Sequence, residues 1–259
     1  MSVNNAINYD KTSKIYDSSR YAIPEKVAKL VYCLGLSVDS VVLDLGCGTG
    51  NFVEALSPLV KTIIGIDLSR GMLMKAREKL PEVPLVCANV KQLPFESSTF
   101  NCAFAVQVLH HIKEKGLFLK ETHRVLKEGG SFAIDTCSHE QMRTFWFYHY
   151  FPEALQLDLA RIPDCLEIVH LLKDAGFKDI CVEISYSDIA SEHLNPENYL
   201  KKDYRDGMST FQLLQEHVVE RGCDMLRKDI ASGEVTRVIP KYESQETIIG
   251  GSTIVYGLK

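Results

Sequence analysis

The residues best suited to chemistry stand at the ends of short apolar runs. Val41-Val42-Leu43-Asp44-Leu45 runs directly into Gly46, Gly48 and Gly50, with Cys47, Thr49 and Asn51 interleaved. Such a run suits a strand buried on both faces, and Phe52, Val53, Ala55 and Leu56 open a helix-spaced apolar face behind it. Strand, glycine turn and helix form a nucleotide-binding crevice, where backbone lacking a Cβ lets a ligand come close. A second run, Thr62 to Asp67, ends in an acid placed to hold two ribose hydroxyls. His110 and His111 follow a third apolar run at the sheet edge where ligands of open α/β sheets bind. An imidazole there either moves a proton or orients the loop.

The elements that position these groups alternate along the chain. Pro24 starts a helix carrying Val27, Leu30, Val31 and Leu34, stopped near Gly35. Ser69 caps a helix carrying Met72, Leu73, Ala76 and Leu80, stopped by Pro81. Strands are expected over 41–45, 62–67, 83–87, 99–106, 131–136, 179–186 and 252–258, with helices over 116–126 and 166–175. Lys127-Glu128-Gly129-Gly130 reads as a helix C-cap and turn. The expected fold class is α/β: three layers around a seven-stranded, mostly parallel sheet, Rossmann-like, with a helical cap.

The glycine spacing separates two cofactor classes. The dinucleotide fingerprint G-x-G-x-x-G requires its third glycine at Asn51, which counts against a nicotinamide oxidoreductase. The arrangement Asp44-x-Gly46-x-Gly48-x-Gly50 instead resembles the first motif of the class I S-adenosylmethionine-dependent methyltransferases. Further along, Asn89-Val90 with Leu93-Pro94-Phe95 resembles the family segment G-D-A-x-x-L-P-F, asparagine standing where aspartate is usual. Val125-Leu126-Lys127-Glu128-Gly129-Gly130 resembles the family's V-L-K-P-G-G, with Glu128 replacing proline. These motifs agree in order over about residues 40–136.

The resemblance implies S-adenosyl-L-methionine as cofactor, S-adenosyl-L-homocysteine as product and an antiparallel last strand. It assigns Asp44, Gly46, Cys47, Gly48, Gly50, Asn51 and Asp67 to the cofactor. Leu68 and Met72 would flank the adenine, although core packing equally accounts for Met72. Asn89, beside Val90, would accept a hydrogen bond from the adenine amino group. Gln107 would meet the methionine part. The N-terminal segment, with Tyr16 and Arg20, would fold over the cofactor, and Tyr21 would join His110 and His111 as a catalytic candidate.

Composition narrows the rest. A chain of 259 residues, 46% hydrophobic and 24% charged, can bury one generous core plus an insertion. A net charge of −5 and a pI near 5.9 give no electrostatic reason to expect nucleic acid. No apolar stretch suits a membrane span, and the polar N-terminus does not read as a secretory signal. Eight cysteines without a C-x-x-C pair favour a reducing cytoplasm, and Cys137, His139 and His149 match no common zinc spacing, so no metal is expected.

Three stretches are expected to build the cap. Residues 1–36 form an N-terminal helical lid, and 37–187 plus 249–259 the cofactor domain, with cap insertions at 138–162 and 188–248. Phe145, Trp146, Phe147, Tyr148, Tyr150 and Phe151 read as a hydrophobic wall over an acceptor pocket, or else as packing or a dimer surface. A helix carrying Phe211, Leu213, Leu214, Val218 and Val219 and an anion contact at Arg205 are expected in the long insertion. The function expected is methyl transfer to a small molecule by a monomer or homodimer. A protein or RNA substrate, or cofactor binding without catalysis, are the alternatives, separable by an open basic groove or a filled pocket.

Overall fold

The computed structural model describes residues 9–13, 21–186 and 191–259. Seven strands make one sheet: β1 (Val41–Leu45), β2 (Thr62–Asp67), β3 (Leu85–Cys87), β4 (Phe100–Val106), β5 (Leu126–Thr136), β6 (Lys178–Ser185) and β7 (Ser252–Leu258). Their order is β3-β2-β1-β4-β5-β7-β6. The first five strands pair in parallel, and β7 runs antiparallel to both β5 and β6. The strand order reverses between β1 and β4, the switch point at which such sheets open a ligand crevice.

The described helices are α1 (Tyr9–Thr12), α2 (Pro24–Leu34), α3 (Asn51–Leu56), α4 (Arg70–Lys79), α5 (Lys115–Val125), α6 (His139–Met142), α7 (Pro152–Arg161), α8 (Cys165–Asp174), α9 (Ser191–Leu194), α10 (Lys202–Asp206), α11 (Ser209–Leu213), α12 (Glu216–Ser232) and α13 (Val235–Ile249). Successive strand residues point to opposite faces, and both faces are covered. Val42, Cys102, Phe104, Ala133 and Ile254 pack with Leu30 and Leu34 of α2 and with Val53 and Leu56 of α3. Leu43, Leu45, Ala103, Phe132, Ile134 and Val255 pack with Phe118 and Leu119 of α5 and with Ile168 and Leu172 of α8. That double burial is why the strands read as unbroken apolar runs.

Three local expectations are corrected. β5 starts at Leu126, not residue 131. Leu126 already has an extended ψ of 144°, and a register shift between Phe100 and Cys102 absorbs the glycines that had read as a helix cap. The backbone there is satisfied by the chain end, as the Lys259 N–H donates to the Gly130 carbonyl at 2.9 Å. β3 is shorter than expected, beginning at Leu85. The helix expected across 211–219 is broken at Leu214, whose ψ of 150° separates α11 from α12.

The cap has a core of its own. Trp146, Phe147, Tyr148, Tyr150 and Phe151 are buried with Tyr199, Tyr204 and Phe211, against Cys223 and Leu226 of α12. The Tyr199 ring stacks on Phe147 at 5.2 Å and meets Trp146 edge-on at 4.9 Å. Each fully buried ring of this kind contributes roughly 1.5–3 kcal/mol by leaving water. The aromatic run therefore serves both readings: it packs the cap, and Phe145 to Tyr148 also face a cavity.

Candidate active site

The turn after β1 is sewn to the end of β2. The N–H groups of Gly46 and Cys47 both donate to the Ile66 carbonyl, at 2.7 and 2.9 Å. Gly46, Gly48 and Gly50 take φ of 83°, 54° and 82°. A Cβ at Gly46 would stand 2.5 Å from a Val108 methyl, so space and backbone both exclude a side chain there.

Asp67 faces this turn. Its Oδ2 accepts from the Gly48 N–H at 2.9 Å and its Oδ1 from the Ser69 N–H at 2.8 Å. Those bonds fix the carboxylate and leave each oxygen a further lone pair for a ligand hydroxyl. Ser69 caps α4, its Oγ accepting from the Met72 N–H at 3.1 Å. Asp44 is 2% exposed one strand away, and burial together with the Asp67 carboxylate pushes its pKa well above the usual 3.8. Burial also raises the pKa of Asp67, against the lowering effect of its backbone N–H bonds. A buried acid held beside a second carboxylate forms a place where a cation is favoured. S-adenosylmethionine, with a sulfonium and an ammonium, fits that charge, and its ribose diol fits the open lone pairs of Asp67.

The other cofactor candidates fall around this crevice in different ways. Leu68 is 70% exposed at the end of β2, an apolar side chain left bare beside Asp67, whereas Met72 is buried. The Cys47 thiol is buried, and its pKa is pushed far up by that burial and then by Asp44, so it is inert. Asn51 Oδ1 accepts from Lys79 Nζ at 2.5 Å. Asn89 Oδ1 accepts from the Lys91 N–H at 3.0 Å, turning the chain after β3, and Val90 is half-buried against the core. Gln107 holds a φ of 53°, a left-handed conformation that is costly for a side-chain-bearing residue. Its N–H donates to the Asp135 carbonyl at 3.1 Å and its Nε2 to Asp135 Oδ1 at 2.9 Å. Asp135 in turn pairs with Lys26 of α2 at 3.1 Å, both side chains almost wholly buried.

His110 and His111 sit on a single 3-10 turn, Leu109–His111, with ring centroids 3.9 Å apart. The Tyr9 hydroxyl lies 2.6 Å from His111 Nε2. Next to it, Asp10 Oδ1 accepts from the Ser69 hydroxyl at 2.6 Å and the Gly71 N–H at 2.8 Å, and those bonds lower its pKa. Helix α1 thus bridges the β2 side of the crevice and the histidine turn. The sequence reading placed Tyr9-Asp10 in the N-terminal segment expected over the cofactor without giving either a role, and passed over Asp135.

Beyond the histidines lies a cavity of about 220 Å³. Tyr9, Lys26, Gln107, His110, His111 and Cys137 line its sheet side, and Phe145, Trp146, Phe147, Tyr148, Arg161, His193, Tyr199 and Met208 its cap side. Tyr21 is 45% exposed and is not among the lining residues. Tyr16 and Arg20 lie outside the described residues. Arg205 does not line the cavity either: its Nη1 donates to the Tyr199 carbonyl at 2.7 Å, inside the cap. The cavity's arginine is Arg161, whose Nε donates to Asp158 at 2.7 Å. Of the residues weighed as metal ligands, Cys137 bonds the Gly251 carbonyl and His139 the Ile162 carbonyl, while His149 packs on Tyr150 and Tyr242. Among the described residues no helix is long and apolar enough to cross a membrane.

Comparison with known proteins agrees with this geometry. The family model described as a methyltransferase domain matches residues 43–134, from inside β1 to the middle of β5. The chain is 34% identical over 143 residues to the malonyl-[acyl-carrier protein] O-methyltransferase of Legionella pneumophila, covering 51% of this chain and 50% of that protein. It thus spans about half the length of that relative. It is 28% identical over 224 residues to the demethylmenaquinone methyltransferase of Staphylococcus aureus, covering 77% and 91%. An Anabaena variabilis crystal structure, described as a methyltransferase from an antibiotic biosynthesis pathway, superposes with a TM-score of 0.74 at 23% identity, covering 90% and 96%. A methyltransferase domain thus spans residues 43–134, and the motif turn, the acid at the end of β2 and the sheet order resemble those of the class I S-adenosylmethionine-dependent methyltransferases.

Proposed function

We propose that this enzyme transfers a methyl group from S-adenosylmethionine to a small-molecule acceptor held between the sheet edge and the cap. The observation that carries this reading is the cavity of about 220 Å³, which opens beside His111 and is walled by the aromatic side chains of the cap. A space of this size takes a compact acceptor, and its walls exclude water from the reacting atoms. The two curated relatives, one named for a demethylmenaquinone and one for a carrier-bound malonyl group, lend support.

When bound, S-adenosylmethionine supplies an electrophilic methyl on a sulfonium, which leaves as the neutral thioether of S-adenosylhomocysteine. The chain's residues do the rest. Asp67 and the glycine turn hold the ribose end, and Asp44 offsets positive charge. Gln107, fixed by Asp135, sits between the crevice and the cavity. His111 takes the acceptor's proton where the acceptor is a hydroxyl or thiol, and Tyr9 fixes the ring that does so. Orienting the acceptor toward the methyl carbon supplies much of the rate.

The test is an acceptor screen with radiolabelled S-adenosylmethionine on the purified protein. Label transferred to a small organic acceptor, and lost in a variant that fills the cavity such as Met208→Trp, supports the reading. Label transferred only to a macromolecule overturns it.

A further inference from the structure

We infer that the cap side of the cavity is an oxyanion anchor, so that the acceptor carries a carboxylate or a phosphate monoester at the end held by Arg161 and Ser209. The inference rests on the methyl-transfer reading and names the acceptor class for it.

Arg161 closes α7, and its Nε donates to Asp158 Oδ1 at 2.7 Å. Its Nη2 donates to the hydroxyls of Ser209 and Thr210, at 2.8 and 2.9 Å. Asp158 is already fully engaged: Oδ2 accepts from the Tyr148 hydroxyl at 2.7 Å and from the Thr210 hydroxyl at 2.9 Å. Thr210 is likewise used, accepting from Arg161 and donating to Asp158. Two sets of hydrogens remain without a partner among the described residues: the two N–H of Arg161 Nη1 and the O–H of Ser209. Both residues line the cavity. The unspent groups are donors, and the acceptors beside them are taken.

Both groups open into the cavity, and a pair of donors there is matched by a ligand group that only accepts. An ionised carboxylate or phosphate is such a group, and a guanidinium edge is the side chain that recognises it in a fixed plane. Asp158 holds the guanidinium in that plane and does not compete for the open edge. The cavity lining also carries apolar side chains, Phe145, Trp146 and Met142 among them, and one further carboxylate, that of Glu246. The acceptor described by this geometry has an apolar body, an oxyanion on the cap side and its nucleophile on the side of His111.

The test uses the S-adenosylhomocysteine-loaded protein and three probes of one size: benzoate, phenyl phosphate and benzylamine. Calorimetric titration is expected to show benzoate or phenyl phosphate binding at least about tenfold more tightly than benzylamine, as a charge-assisted bond implies. Whichever anion binds tighter identifies the headgroup. The preference should fall about tenfold in Arg161→Lys, which keeps the charge and loses the planar edge, and fall less in Ser209→Ala, which removes only the hydroxyl. Equal or tighter binding of benzylamine, or an anion preference untouched by both substitutions, overturns the anchor. Wild-type protein that takes up no S-adenosylhomocysteine overturns the methyl-transfer reading instead, so the two failures are distinct.

Discussion

The Tyr9 hydroxyl lies 2.6 Å from Nε2 of His111, across 102 positions of sequence. Its neighbour Asp10 is bonded to Ser69 and Gly71 at the head of α4. One turn of N-terminal helix therefore ties the start of α4, beside Asp67, to the histidine turn at the edge of the cavity. Tyr9 itself lines the cavity, so a single helical turn both walls one half of the site and is anchored at the other.

Tyr9→Phe keeps the ring and removes that bond. With a hydroxyl acceptor, kcat is expected to fall about tenfold, the worth of one hydrogen bond to a reacting group. His111→Ala should cost about 10²–10⁴-fold, the usual contribution of a positioned base. Affinity for S-adenosylmethionine, measured by calorimetry, should stay within about threefold in both variants, because neither residue touches the Asp67 carboxylate. Wild-type turnover in His111→Ala would remove it from the chemistry.

The paired acids predict a pH dependence. The folded-state pKa of Asp44 is raised above 3.8 by burial and by Asp67, so its contribution to stability is full at low pH and is lost as pH rises through the raised value. Asp67 shifts in the same direction. A bound cation draws both values down, so S-adenosylmethionine should bind more tightly as pH rises and release protons on binding. Calorimetry near pH 6 in two buffers of different ionisation enthalpy reads this directly. Net proton release that shrinks in Asp44→Asn is expected, and a binding heat independent of buffer would contradict it.

How far the sequence carried depended on whether the decisive neighbours were close in it. The glycine turn, the acid ending β2 and the histidine pair each sit at the end of a local apolar run, and pattern alone placed them at one sheet edge. Residues 126–130 misled because two glycines after a helix usually cap it, while here the distant Lys259 pairs with that backbone. Tyr9 was marked only as part of the N-terminal segment, and Asp135 and Arg161 carried no local mark at all. Their partners are 102, 109 and 48 residues away, and only the folded cap and sheet bring them together. Arg205 was the arginine weighed for an anion because it borders a Gly-Met-Ser loop, yet packing turns it to a backbone carbonyl.

The cap's separate core makes its own prediction. A Cβ on Gly222 would meet the Phe151 ring at 2.3 Å and the Tyr150 carbonyl at 2.7 Å. Gly222→Ala should destabilise by about 1–3 kcal/mol through overpacking, and Phe151→Ala by about 3–5 kcal/mol through a cavity. Both should weaken acceptor turnover more than cofactor binding, because the cap core contains no residue of the glycine turn. Thermal unfolding followed alongside cofactor titration checks this, and a loss of cofactor affinity equal to the loss of turnover would contradict it.

The most direct test of the whole account is calorimetric titration of the wild-type protein and of Asp67→Ala with S-adenosylmethionine, with NADH as the control. The account predicts one-to-one binding of S-adenosylmethionine by the wild type, weakened roughly 10–100-fold in Asp67→Ala by the loss of charge-assisted bonds to the ribose. It predicts no heat from NADH. S-adenosylmethionine binding unchanged by the substitution, or binding of NADH alone, would contradict the assignment of this crevice.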